Sequence, residues 1–193
     1  MKLDIILAGV GGQGILSIAT IIGEAALKSG YYLKQAEVHG MSQRGGDVQS
    51  HLRISDKPIY SDLIPMGKCD MILSVEPMES LRYLPFIAPD GWLVTNNTSF
   101  ININNYPEKE ALFSAIKSVK NNICLAADDM AKELGSARSM NMVMLGAASE
   151  FMNIKIEDIE SAIREIFERK GEEVVQLNLK AFRAGLEYSK SNR

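Results

Sequence analysis

A three-layer α/β/α open sheet, Rossmann-like and mostly parallel, is the fold class the sequence predicts, and three patterns predict it. Residues 5–10 form a short apolar run that ends in glycines and gives way to apolar residues at helical spacing. Two further compact apolar runs, 71–75 and 92–96, are bounded by turn residues and read as buried strands. From Pro107 onward the apolar positions recur mostly at helical intervals, so the C-terminal third is expected to be helical.

In chain order, the strand at 5–10 leads through a tight glycine turn to a helix carrying Ile15, Ile18, Ala19, Ile22 and Ala26, closed by Gly30. Residues 31–38 alternate as a second strand, so the opening of the chain reads as a βαβ unit with parallel strands. Residues 47–55 alternate cleanly, with Val48, Leu52 and Ile54 apolar, and are expected to form a third strand able to run antiparallel. After the strand at 71–75, Glu76-Pro77 suits a helix start with proline in the first turn. Pro89-Asp90-Gly91 reads as a turn ahead of the strand at 92–96. The later chain holds a short apolar piece at 123–126 and three helical stripes. These are Met140, Val143, Met144, Ala147 and Phe151; Ile156, Ile159, Ile163 and Ile166; and Val175, Leu179, Phe182 and Leu186. No internal repeat or linker divides the chain, so residues 1–193 are expected to form one domain, a length at which roughly 70% of the unfolded chain's surface can be buried.

Composition excludes several classes. The 193 residues are 46% hydrophobic and 23% charged, near the averages for folded domains, which sets aside collagen-like, disordered and low-complexity readings. Lys and Arg number 21 against 24 Asp and Glu, a net of −3, and no basic run could neutralise a line of phosphates, so nucleic acid is not an expected partner. Cys69 and Cys124 are the only cysteines and no Cys-x-x-Cys occurs, so the chain alone offers no four-thiolate cluster site and no cysteine-based zinc site. The N-terminal apolar stretch is broken early by Gly9, and no run approaches the ~20 residues of a membrane span. A cytoplasmic chain with reduced thiols and no membrane contact is the expectation.

Gly9-Val10-Gly11-Gly12-Gln13-Gly14 satisfies G-x-G-x-x-G between an expected strand and an expected helix, with Glu37 near the end of the second strand. Such glycines let backbone approach a phosphate, while the helix N-terminus supplies free N–H groups and partial positive charge. A small NAD(P)- or nucleotide-binding oxidoreductase is therefore one reading, and close helix–strand packing without a ligand is another. After Glu37 comes a segment foreign to the dinucleotide pattern, His39-Gly40-Met41-Ser42-Gln43-Arg44-Gly45-Gly46. Its glycines, histidine and arginine could converge on the first glycine turn across the strand tips as an anion pocket. The same residues could equally be a connection with a solvated Arg44 and a His39 bonded to backbone.

The two glycine segments in this order, followed by Leu52-Arg53-Ile54-Ser55, resemble the gamma domain of the 2-oxoacid:ferredoxin oxidoreductases. Within that family, the form at 39–46 together with Ser139-Met140-Asn141-Met142-Val143-Met144-Leu145-Gly146 is similar to the beta subunits of the indolepyruvate enzymes, and the resemblance runs essentially from end to end. It implies a subunit of an enzyme that oxidatively decarboxylates aryl pyruvates to acyl-coenzyme A and passes electrons to ferredoxin. The resemblance also implies a large alpha subunit as partner, holding the thiamine diphosphate and iron–sulfur clusters, with no cofactor on this chain. Residues expected to bind are Gly9, Gly11, Gly12, Gln13, Gly14, His39, Gln43, Arg44, Gly45 and Gly46, with Arg44 gripping a phosphate of coenzyme A or a carboxylate of the partner. No catalytic residue is assigned. Thiamine diphosphate enzymes, by resemblance to that wider family, carry Gly-Asp-Gly and a later Asn-Asn. Asp90-Gly91 and Asn121-Asn122 imitate the spacing, but Pro89 replaces the first glycine and the pair precedes a strand rather than following one, so no thiamine site is expected here. A scaffold subunit that binds no ligand is the remaining alternative.

His39 and His51 are the only histidines and lack His-x-His or His-x-x-x-His spacing, so no metal site is expected, and a general-base role for His39 stays open only because histidine as a residue type suits one. The methionine-bearing helix reads either as core or as an intersubunit surface that would make the isolated chain dimerise. Arg138 is expected to be solvated, and the charged final helix to cover the sheet.

Overall fold

The computed structural model describes residues 1–39 and 45–193; the side chain of His39 and residues 40–44, which include Gln43 and Arg44, lie outside the described residues. Among the described residues six strands form one sheet: β1 (Lys2–Val10), β2 (Tyr32–His39), β3 (Asp47–Ser55), β4 (Cys69–Ser74), β5 (Ile87–Asn96) and β6 (Asn122–Leu125). Their spatial order is β2-β3-β1-β4-β5-β6. The neighbours β1, β4, β5 and β6 run parallel, whereas β3 is antiparallel to both β1 and β2. Seven helices join them: α1 (Ile15–Lys28), α2 (Pro77–Arg82), α3 (Lys109–Lys117), α4 (Ala127–Glu133), α5 (Met140–Ser149), α6 (Ile156–Phe167) and α7 (Glu172–Asn192) among the described residues.

The period of two along the strands divides the core. Ile5 and Leu7 of β1, Met71 and Leu73 of β4 and Val94 of β5 point to the side of α1 and α5, while Ile6, Ala8, Ile72 and Leu93 point to the side of α2 and α3. Both faces are therefore covered, which is why these strands read as continuous apolar runs and not as alternating ones. β3 keeps the expected bounds and runs antiparallel.

Three local expectations change in three dimensions. The strands of the expected βαβ unit are parallel in direction but not adjacent, because β3 turns back beside β2 and inserts between it and β1. Pro89-Asp90-Gly91 is not a turn before β5 but a bulge inside it: Cys69 pairs with Ile87, and Met71, only two positions on, pairs with Trp92. The final helix covers α5 more than the sheet. A Cβ on Gly146 would lie 1.9 Å from the Phe182 carbonyl oxygen, and one on Gly185 would lie 1.9 Å from that of Val143, so only glycines let the two backbones touch. As a result every residue of α5 is buried, and the methionines at 140, 142 and 144 are core rather than an intersubunit surface.

Candidate functional site

The carboxyl end of β1 passes into the glycine turn. Gln13 closes that turn on itself: its backbone N–H donates to the Val10 carbonyl at 3.2 Å, and its side-chain oxygen accepts the Val10 N–H at 2.8 Å. Gly9 lies where a Cβ would come 2.3 Å from Val75 of the adjoining β4 segment, so its role is close packing. Gly14 has φ 83°, in the left-handed region, and a Cβ there would strike the Asn141 amide at 2.5 Å; both constraints favour glycine.

The two glycine segments meet. Gly11 N–H donates to the Gly46 carbonyl at 2.9 Å, and the neighbouring Gly45 carbonyl accepts from Asn102 Nδ2 at 2.6 Å. That amide of Gly11 is therefore consumed within the chain, and the open side of the turn is the one formed by Gly12 and Gly14. There a cleft of about 670 Å³ opens between the turn, the segment Ala137–Ser139 and the junction of α6 with α7. Arg138 and Lys170 line it, and no carboxylate does among the described residues. Arg138 is exposed and has no ion pair or hydrogen-bond partner among the described residues, while the Lys170 ammonium lies 5.1 Å from the centre of the Phe167 ring. Both α1 and α5 begin at this cleft, and neither N-terminus carries a side-chain cap. Two helix N-termini, the α6 C-terminus and two cations thus meet at a cleft lined by no carboxylate among the described residues, in a chain whose net charge is −3. Sequence reading placed Arg138 in solvent and passed over Lys170; only the meeting of α1 with the α6–α7 junction brings them to the glycine turn.

Other singled-out residues have other employment. His51 is 6% exposed; its Nδ1 accepts the Ile64 N–H at 2.9 Å, and burial pushes its pKa down, so it serves as a neutral acceptor. The backbone of His39 pairs with Val48. Glu37 sits on β2, one strand removed from β1, which puts β3 between it and the glycine turn, whereas a dinucleotide fold sets the acidic strand tip beside that turn. The Cys69 thiol donates to the Met71 carbonyl at 2.9 Å and burial pushes its pKa up to about 12, far from a reactive thiolate. Asp90, in the bulge of β5, and Asn121, just before β6, meet at the amino end of the sheet, with Asn121 Nδ2 donating to the Asp90 carbonyl at 3.1 Å. No group of three or more His, Cys, Asp or Glu among the described residues could hold a metal, and no helix among them is long and apolar enough to cross a membrane.

The architecture defines a class: an open α/β fold whose cleft lies at the carboxyl ends of its strands, where such folds take their ligands. The chain belongs to the pyruvate ferredoxin/flavodoxin oxidoreductase family, whose model matches residues 4–188. It is 36% identical over 202 residues to the indolepyruvate oxidoreductase subunit IorB of Archaeoglobus fulgidus, covering 100% of this chain and 98% of that one. Its fold is similar to the 2-oxoglutarate:ferredoxin oxidoreductase of Magnetococcus marinus, solved with 2-oxoglutarate, coenzyme A and succinyl-CoA bound, at a TM-score of 0.79 and 26% identity. All of this chain but only 32% of that one is matched. It is also similar to the gamma subunit of a keto/oxoacid ferredoxin oxidoreductase from Geobacter sulfurreducens, with a TM-score of 0.71, 25% identity, and 98% and 99% of the two chains covered.

Proposed function

We propose that this chain, acting as a single gamma-type domain over residues 1–193, is the subunit of a cytoplasmic indolepyruvate:ferredoxin oxidoreductase that receives coenzyme A. The large partner subunit would carry thiamine diphosphate, which supplies the decarboxylation chemistry, and iron–sulfur clusters, which pass the electrons to ferredoxin. This chain's own task is to bind and orient the acyl acceptor. Coenzyme A carries a pyrophosphate and a ribose 3′-phosphate, and the observation that carries the reading is the carboxylate-free cleft where the open side of the glycine turn meets Arg138 and Lys170. Gln43, Arg44, Gly45 and Gly46 of the second glycine segment are further proposed contacts for the ligand, Gly46 being bonded to Gly11 of the first turn. Isolated, the chain should be colourless and inactive, and it should self-associate through the exposed apolar loops bearing Tyr60 and Met66 or Phe100 and Ile101, since the methionine helix is buried.

A charge-assisted hydrogen bond contributes roughly 1.5–3 kcal/mol, so Arg138→Ala and Arg44→Ala should each weaken coenzyme A binding about 10- to 150-fold. Lysine in place of Arg44 should recover only part, for want of the planar fork. Calorimetric titration of the assembled enzyme with coenzyme A checks this; unchanged affinity in both alanine variants would leave the glycines with a packing role alone.

A further inference from the structure

We propose that Glu76 is a positioning residue for this site, acting through the strap formed by residues 97–106. Glu76 follows β4, next to the glycine turn, and is 0% exposed. Its two carboxylate oxygens do different things. Oε2 accepts the Glu79 N–H at 2.8 Å and caps α2. Oε1 accepts the Phe100 N–H at 3.2 Å and the Tyr106 hydroxyl, both from the strap. A buried carboxylate needs its lone pairs met, and here two of the three donors come from a segment with no helix or strand of its own.

Apolar burial does little to hold that segment. Phe100, Ile101 and Ile103 are 45%, 75% and 41% exposed, so between Asn97, bonded to the Leu125 carbonyl, and Tyr106, packed against the core, the strap is attached chiefly through Glu76. From the strap, Asn102 Nδ2 reaches the Gly45 carbonyl at 2.6 Å, and the adjoining Gly46 carbonyl takes the Gly11 N–H at 2.9 Å. An unbroken chain of hydrogen bonds and peptide links thus runs from Glu76 through the strap to both glycine segments. The carboxylate thereby sets how Gly46 holds Gly11, and with it the placement of the turn whose Gly12 and Gly14 face the cleft. This rests on the reading that coenzyme A uses that surface.

Two mild variants test it in the assembled enzyme. Tyr106→Phe removes one hydroxyl from the Glu76 end and Asn102→Ala removes the donor to Gly45, so the test does not depend on whether a Glu76→Gln chain folds. Each should raise both the calorimetric Kd and the KM for coenzyme A about two- to tenfold, with kcat and the KM for the 2-oxo acid unchanged. The double variant should fall short of the product of the two effects, because they lie on one path. An unchanged Kd in these variants, alongside a raised one in Arg138→Ala, overturns the positioning role while sparing the coenzyme A reading. An unchanged Kd in Arg138→Ala and Arg44→Ala as well overturns both. A fall in kcat with no selective change for coenzyme A also overturns it, since a loosened fold would act that way.

Discussion

The two ends of the sheet handle charge in opposite ways. At the amino end Asp4, 1% exposed, is gripped by Arg53 through two nitrogens at 2.8 and 3.1 Å and by the Lys2 ammonium at 2.7 Å. The remaining Arg53 nitrogen donates to the carbonyls of Ser61 and Leu63 and ties down the loop after β3. His51 assists by accepting the Ile64 N–H. At the carboxyl end Arg138 has no partner among the described residues, α1 and α5 start uncapped, and no Cβ contact would crowd Gly12. Charge at the first end is spent on holding the fold; at the second end Glu76 holds α2 and the strap, while Arg138 is left for something that arrives from outside.

The largest effect expected from that contrast is at Arg53. Arg53→Ala leaves Asp4 buried with only Lys2 beside it, and breaking a buried pair this way costs about 3–5 kcal/mol. Urea unfolding should register the loss, and a change below about 1 kcal/mol would show that the amino end is not the structural pole. A middle-sized effect is expected from His51, whose pKa is lowered in the fold, chiefly by burial and also by the Arg53 charge. The unfolded chain takes up this proton first as pH falls, so the stability that His51 contributes is complete above its ordinary value of 6.5 and is lost below it, down to its folded pKa. Unfolding midpoints at about pH 7.5 and pH 5.5 should therefore converge in His51→Gln relative to the parent chain. Identical pH slopes in the two proteins would remove His51 from the account. The smallest effect is expected at Arg138: its alanine variant should unfold within about 0.5 kcal/mol of the parent, because no partner is lost, even though ligand binding falls. A larger destabilisation would mean that the cleft is a structural feature and would erase the difference between the two ends.

Much of the site was legible as residue types and little of it as geometry. The strand–glycine turn–helix at the start of the chain is written in local periodicity and in glycines whose conformations and close contacts other residues would not tolerate, as Gly14 demonstrates. β3 was legible to its last residue because period-two alternation is intrinsic to a strand buried on one side and less so on the other. Glu76 was read as a helix start, which it is; that its second oxygen holds the strap could not be seen, since Phe100 and Tyr106 are distant in sequence and carry no pattern that points back to it.

By itself, then, the sequence determined the α/β class, most of the elements and the presence of two glycine segments, since each depends on neighbours a few positions away. Tertiary structure alone decided the insertion of β3 between β1 and β2, the burial of α5 beneath α7, and the gathering of Arg138 and Lys170 at the glycine turn. The physical reason is the same in each case. Periodicity reports which side of an element avoids water, but not which other element covers that side, and it is the identity of that neighbour that brings distant charges to one cleft.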